Sequence, residues 1–540
     1  MVFLQTLRNH PLGIKLGKLV PAQAWERRPS LIFSLSAFTV VASLVLGGGT
    51  RGGFLSDTIL ELIAIPAFLL SVSSLFALPW IENKQRAEWA LMLCAAVALV
   101  PLIQLVPLPP WLWSWLPNRE DIVAVYTLLG RGLPWLPISV SPNATWVSAL
   151  SLLPPLAIFL GVIQLGYRER RLLSLILLGV GVFAAFLGLF QVAQGPSSPL
   201  RFFVFTNDTE AVGFFANRNH FAALLYSIML FGAAWAVDVA FTAGSWTDRR
   251  NFETASILKL TASFLILVVL IAAETITRSR AGLALMIIAI FGAFALPLAD
   301  RRRSAGVTPI KLLLGSTILA MTLAIQFALF RILDRFSVDP LEDSRVAFAR
   351  NTIAAAKAYM PFGSGVGTFM PVYSIFEQPQ DVLPNAFVNH AHDDVLEAWL
   401  EGGAVSIILA VAFLVWFALS AARIWRHTPA HAHAIDLLLA RAATIVVPLL
   451  LAHSFVDYPL RTGAMMAVFA FSCALLVDPL VGAPARRGPH GAEARGEQEI
   501  SRMPIPQAAP KPPNAAPARP RPGPPERWGE DVDWPDEWRK

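Results

Sequence analysis

Apolar residues are not scattered along this chain; they fall into blocks of helical, membrane-spanning length. A helix needs about 20 predominantly apolar residues to cross the hydrocarbon core of a bilayer. Twelve blocks meet that criterion, at approximately 31–49, 57–79, 88–106, 146–166, 172–193, 220–242, 257–275, 282–299, 311–330, 403–422, 437–456 and 463–481. Most are separated by short polar loops. The pattern predicts an all-α polytopic membrane protein with about twelve transmembrane helices: residues 1–30 as an N-terminal segment, 31–330 as helices one to nine, 331–402 as a long loop, 403–482 as helices ten to twelve, and 483–540 as a tail. No small-residue cleavage site follows the first block, so it reads as a retained helix and not a signal peptide.

Composition supports this reading. The chain is 55% hydrophobic and 15% charged, against about 25% charged in ordinary soluble domains, which excludes a row of soluble domains. The tail from about Ala483 holds 13 of the 41 prolines and has no aliphatic run with which to build a core; its composition predicts disorder. The two cysteines, Cys94 and Cys473, each lie inside an apolar block, which excludes a disulfide framework and a cysteine zinc site.

The net charge of +6 gains meaning from where the cations sit. Alternating the blocks from a cytoplasmic N-terminus puts Arg8, Lys15, Lys18, Arg27 and Arg28, then Lys84 and Arg86, Arg168, Arg170 and Arg171, Arg249 and Arg250, Arg301 to Arg303, and Arg423 and Arg426 on the inner side. This is the positive-inside distribution, and it predicts an even number of spans with both termini in the cytoplasm. The basic balance therefore points to a bilayer and not to nucleic acid. A few cations fall on the outer side against the bias: Arg51, Arg201, Arg218, Arg278, Arg280 and Arg461.

Two outer segments are long. Residues 107–143 are rich in Pro and Trp, which suits an interfacial or re-entrant stretch. Residues 331–402 form the largest extramembrane segment before the tail, and loops of that length usually carry function. Within the second, Asp343–Met360 has helical periodicity, the Pro361–Gly367 run breaks it, and a further helix is predicted from near Asp393 to a stop at Gly402 and Gly403.

Four polar clusters fall on the outer side. Asn217-Arg218-Asn219-His220 offers Asn as a helix cap, whereas Arg at a helix N-terminus opposes the dipole. Thr277-Arg278-Ser279-Arg280 forms a tight turn whose arginines either snorkel to the interface or make a fixed cationic site suited to phosphate. Asn389-His390-Ala391-His392-Asp393-Asp394, followed by Glu397 and Glu401, is a candidate base centre, a set of metal ligands, or a helix start with acids complementing the dipole. In His453–Arg461, Asp457 and Arg461 either serve the site or simply pair across the turn. The glycines of 363–367 lack the βαβ context of a nucleotide loop, and His427, His431 and His433 have no acidic or cysteine partner for a metal. A transporter would place ionisable groups near the bilayer midplane, where Glu61 is the clearest candidate, with Asp238 nearer the inner face. A metal-dependent hydrolase would use His390, His392, Asp393 and Asp394.

The motifs Phe-Phe-Ala-Asn-Arg-Asn-His-Phe-Ala (214–222), Thr-Arg-Ser-Arg-Ala-Gly (277–282), Pro-Phe-Gly-Ser-Gly-Val-Gly-Thr-Phe (361–369), Asn-His-Ala-His-Asp-Asp-Val-Leu-Glu (389–397) and His-Ser-Phe-Val-Asp-Tyr-Pro-Leu (453–460), in this order, resemble the O-antigen ligase and polymerase family of bacterial inner-membrane proteins. The resemblance spans about 202–460. It implies a metal-independent, inverting glycosyltransferase with no cofactor. The donor would be a glycan on undecaprenyl diphosphate, and the acceptor a hydroxyl of another glycan, of lipid A-core or of a protein. By this resemblance His392 is the base, with His390 beside it. Arg218, Arg278, Arg280 and Arg345 bind the diphosphate. Asn217, Asn219, Asp393, Asp457 and Arg461 support them, and no residue ligates a metal. The family's loop His-Asn pair corresponds to His392-Asp393, a departure that puts an acid beside the base.

Overall fold

The computed structural model describes residues 30–50, 52–77, 82–244, 254–298, 340–382, 388–426 and 433–480. Arg51, the predicted span 311–330, the Arg249–Arg250 and Arg301–Arg303 loops, His427 and His431, the N-terminal segment up to 29 and the tail lie outside the described residues.

Among the described residues the chain is helical, with a lone antiparallel bridge between Leu108 and Leu136. In chain order the helices are α1 (Leu31–Leu46), α2 (Leu55–Ala77), α3 (Glu82–Gln104), the short α4 (Pro110–Trp113) and α5 (Glu120–Leu128), α6 (Pro142–Leu150), α7 (Leu153–Gln164), α8 (Tyr167–Gln194), α9 (Arg218–Gly244), α10 (Thr254–Thr277), α11 (Arg280–Leu298), α12 (Pro340–Ala358), α13 (Phe369–Phe376), α14 (Asp394–Arg426), α15 (Ala434–His453) and α16 (Gly463–Leu475). Nine helical stretches among the described residues are long and apolar enough to span a membrane, and α1 and α16 are shorter apolar helices. The protein is an all-α polytopic membrane protein, and a helix occupies each apolar block that falls within the described residues.

Helices α9 and α15 are the most enclosed of the long helices. Helix α9 packs on α10, α11 and α15, while α7 packs on α1, α2 and α16. Tyr226, Phe231 and Phe471 are fully buried at the centre. Small residues allow these close crossings, as where Gly181 faces Ile228 and Gly292 faces Ile445.

The two ends of the bundle differ in chemistry. At one end Arg170 donates to the carbonyls of Val162, Ile163, Leu165 and Val477, satisfying helix C-termini, and Arg171 pairs with Asp436 at 2.9 Å. At the other end, turns from distant parts of the sequence are stitched together: Ala216 N–H donates to Gly48 O, Ala464 N–H to Gly47 O, and Ala211 N–H to Ile276 O. The Pro- and Trp-rich stretch lies at this end too, where Ser139 N–H donates to Gln104 O and Val140 N–H to Ser364 O. Trp115, Leu128 and Trp135 of that stretch are 87%, 87% and 64% exposed, which suits contact with lipid headgroups better than with water.

The predicted stop at Gly402 and Gly403 is a break instead. Helix α14 runs through it, with Gly403 at φ 57° and ψ −140°, a conformation that favours glycine. A side chain on Gly403 would collide with the backbone of Pro361 and Gly363, and one on Gly363 with that of Glu401. The Pro361–Gly367 turn thus packs backbone to backbone against the break, and Ala404 N–H donates to Pro361 O at 2.8 Å. The apolar block beyond Gly403 continues as helix because nothing after the break opposes it.

Candidate functional site

The stitched end gathers residues from all four polar clusters. At the centre is Tyr458, with ring centroids 4.3 Å from His390, 4.9 Å from His392 and 4.8 Å from His220. Burial and the Asp457 charge push its pKa up, against the opposing effect of Asn389 and Asn217, so it stays a neutral phenol.

His392 occupies the left-handed region, at φ 52°. Its ring stacks on Phe348 at 5.9 Å. Nδ1 lies 3.3 Å from Asp457 Oδ1, an ion-pair distance without the alignment of a directed hydrogen bond. The side chain is 24% exposed, and the other ring nitrogen makes no hydrogen bond to the described residues. Asp457 is fully buried. It accepts hydrogen bonds from Asn219 Nδ2 and from the N–H of Tyr458, and His220 Nε2 lies 3.8 Å from it. Burial alone would raise its pKa, but His220 and His392 outweigh burial and hold it well below the usual carboxylate range. The result is an aspartate kept ionised against one nitrogen of a partly exposed imidazole. That arrangement sets a fixed negative charge beside the ring.

His390 has a different environment. Nε2–H donates to Thr50 O at 3.1 Å, and Nδ1 faces both oxygens of Glu397, at 2.9 and 3.2 Å. Burial pulls its pKa down, but Glu397 more than offsets this and leaves it above the ordinary value. Both ring nitrogens are engaged. Glu397 belongs to a second cluster around Arg461, whose Nη1 lies 2.6 Å from Glu401 and 3.4 Å from Glu397, with Nε 3.5 Å from Asp394. Burial lowers the Arg461 pKa, but these three acids more than reverse that. Arg461 therefore pairs with acids of α14. The simple Asp457–Arg461 pair does not form, because Asp457 turns toward α9 and His392. Glu401 also accepts the N–H groups of Gly367 and Phe369 at 2.9 and 3.2 Å, and Gln104 bridges Glu401 O and Val366 N–H. This cluster fastens the 361–369 and 389–392 turns to the bundle.

The two asparagines that flank Arg218 have separate tasks. Asn217 Oδ1 accepts from Asn219 N–H at 2.8 Å, capping α9, and Asn219 reaches Asp457. Asp393 likewise caps α14, accepting from Val395 and Leu396 N–H. Asp394 accepts from Ser454 Oγ and Leu460 N–H. The carboxylates and histidines of 390–394 thus diverge to separate partners. Among the described residues no group of three or more His, Cys, Asp or Glu side chains is arranged to hold a metal ion.

The arginines form the other half. Arg218, at the first turn of α9, places Nη1 2.9 Å from Glu210 Oε1, and Arg278 Nη1 is 3.8 Å from the same oxygen. Arg278 has φ 53° and stands in the turn between α10 and α11. Arg280 opens α11, whose cap is Ser279, its Oγ accepting from Gly282 N–H at 3.0 Å. Arg345, on α12, lies close enough for its charge to act on His453. Asn207, which matches a glycosylation triplet, has its side chain bonded to Arg218 N–H at 2.9 Å.

Residues 263–411 match the family described as O-antigen ligase. That stretch of the chain is similar to the O-antigen ligase family. No curated protein matches the chain. The matched segment includes the 277–280 turn, α12 and the 389–401 cluster, whereas Asn217 to Asn219 and Asp457 lie outside it. The match supports a glycan-transferring role of the ligase or polymerase type.

Sequence reading passed over Glu210, Thr50 and the role of Tyr458. Glu210 carried a signal, as a carboxylate in a short segment otherwise marked by outer arginines. Thr50 contributes only its carbonyl, and no residue type announces that.

Proposed function

We propose that the protein is a metal-independent, inverting glycosyltransferase of the inner membrane. It moves a glycan from undecaprenyl diphosphate to an acceptor hydroxyl on the periplasmic face. The observation that carries this reading is the first turn of α9: Arg218 belongs to the cationic group and its neighbour Asn219 bonds Asp457. One helix end thereby joins a set of arginines to a histidine–aspartate pair, which supports a site that binds a diphosphate and deprotonates a hydroxyl.

In the proposed reaction His392 takes the proton of the acceptor hydroxyl. The oxygen attacks the anomeric carbon from the face opposite the diphosphate, and the carbon–oxygen bond to the diphosphate breaks with its electron pair leaving to the phosphate oxygen. Asp457 orients His392 and balances the charge of its protonated ring. Arg278 and Arg280, with Arg218 and Arg345, neutralise the charge that grows on the leaving diphosphate, a task that bidentate guanidinium groups perform well. His390, with both nitrogens engaged, positions the loop and does not act as the base.

In this reading the stitched end faces the periplasm, with Arg302 and both termini in the cytoplasm. A cysteine introduced beside Asp393 is expected to react with a membrane-impermeant maleimide added from the periplasmic side, and one beside Arg302 only after the membrane is opened. Labelling of the second from outside overturns the orientation. A ligase, a polymerase and a protein-glycosylating enzyme share this site chemistry. The glycan ladder of a deletion strain separates them. Loss of all surface glycan from lipid A marks a ligase, loss of chain length alone a polymerase, and an unchanged ladder with loss of protein-bound glycan the third.

A further inference from the structure

A buried carboxylate stands inside the cationic group where an anion is to bind. Glu210 is 3% exposed. Its Oε1 is shared by Arg218 at 2.9 Å and Arg278 at 3.8 Å, and its Oε2 accepts from Thr209 Oγ1 at 2.8 Å. The loop carrying it is fixed: Arg201 Nη1 donates to the carbonyls of Asn207 and Glu210 at 2.7 and 2.9 Å, and Asn207 holds the start of α9. Glu210 is therefore held against Arg218 by its own backbone and does not merely drift to the nearest cation.

We infer that Glu210 is a positioning residue that competes with the lipid diphosphate for Arg218 and Arg278 and so sets how readily the product leaves. The inference rests on the lipid-diphosphate reading of the site. The chemistry that motivates it is a mismatch between substrate and product. In the donor each of the two phosphates carries one ionisable oxygen, because the terminal one is esterified to sugar. Cleavage frees a further phosphate oxygen, so the product is at least as anionic as the substrate and meets the same guanidinium groups. Arginines alone would retain it. A carboxylate that reoccupies Arg218 as the diphosphate withdraws restores the ion pair that the anion displaced, and so offsets part of the cost of releasing the product.

This account gives a sign opposite to that of a structural role. If Glu210 only braced Arg218, removing its charge would loosen the donor. If it competes, removing its charge tightens both donor and product. The test uses the purified full-length protein in lipid nanodiscs with undecaprenyl diphosphate as the probe. E210Q is expected to bind it about tenfold more tightly, in the range of one charge-assisted contact. Donor KM and kcat are both expected to fall, with a burst of one equivalent of product before a slow steady state. E210D keeps the charge on a shorter arm and is expected to lie between E210Q and the parent. It also keeps the question decidable if E210Q does not fold. Weaker or unchanged binding in either variant, with melting and gel filtration like the parent's, overturns the competition. Absence of binding by the parent protein itself overturns the lipid-diphosphate reading on which it rests.

Discussion

His392→Ala slows glycan transfer by about two to four orders of magnitude, the usual range for losing a general base, while the protein still inserts and binds the lipid-linked donor. The expectation follows from the contrast between two histidines two residues apart. His392 has one nitrogen against the ionised Asp457 and makes no hydrogen bond from the other to the described residues, and its ring is partly exposed. His390 is engaged at both nitrogens, by Glu397 and by Thr50 O, and a ring that donates from both has no lone pair to accept a proton. His390→Ala therefore acts on stability first, by leaving Glu397 without one of its partners, and costs less activity than His392→Ala in the protein that folds. The left-handed backbone at position 392 adds roughly 1–2 kcal/mol of strain for most residues, so His392→Asn, a residue tolerant of that conformation, is the matched control and is expected to be as inactive as the alanine variant. Transfer rates normalised to folded protein decide it. A fully active His392→Ala beside a dead His390→Ala moves the base two residues upstream.

The second large effect is at Arg280. Arg280→Ala is expected to abolish transfer and Arg280→Lys to recover little of it. Arg280 opens α11 directly after the Ser279 cap, and both its positive charge and a helix N-terminus favour an anion. Lysine keeps the charge but loses the planar two-donor fork. A lost charge-assisted contact is worth roughly 1.5–3 kcal/mol, a tenfold to hundredfold loss in binding, with more in rate where charge grows on the leaving group. Donor binding and single-turnover rates of both variants at equal membrane abundance test this. Full activity in Arg280→Lys makes the residue an interfacial anchor.

Much of the fold was legible because lipid imposes one rule. Every backbone group must be paired within the segment, so an apolar block of sufficient length becomes a helix. The blocks at 172–193 and 220–242 accordingly sit within α8 and α9. The Gly402–Gly403 stop was misread because a glycine pair looks the same whether a helix ends or turns sharply and resumes. Only the backbone of Pro361 and Gly363 packed against it separates the two cases. In the candidate site, the residue types pointed to one end of the bundle but not to their partners. Arg461 was readable as an outer cation, but its pairing with three acids of α14, and not with nearby Asp457, depends on how α14 and the 453–461 turn meet. Glu210 shows the same limit. Its eight-residue separation from Arg218 carries no periodic signal, because the intervening segment is loop.

The central claim is that arginines and a histidine–aspartate pair carry out transfer from a lipid diphosphate with no metal ion. Its most direct test is one reaction: purified protein, glycan-charged undecaprenyl diphosphate and acceptor, in excess EDTA, followed by the release of undecaprenyl diphosphate and the anomeric configuration of the product. The account predicts acceptor-dependent release at the rate seen without EDTA, with inversion at the anomeric carbon. Release that stops in EDTA and returns with Zn²⁺ or Mn²⁺, or a product of retained configuration, contradicts it.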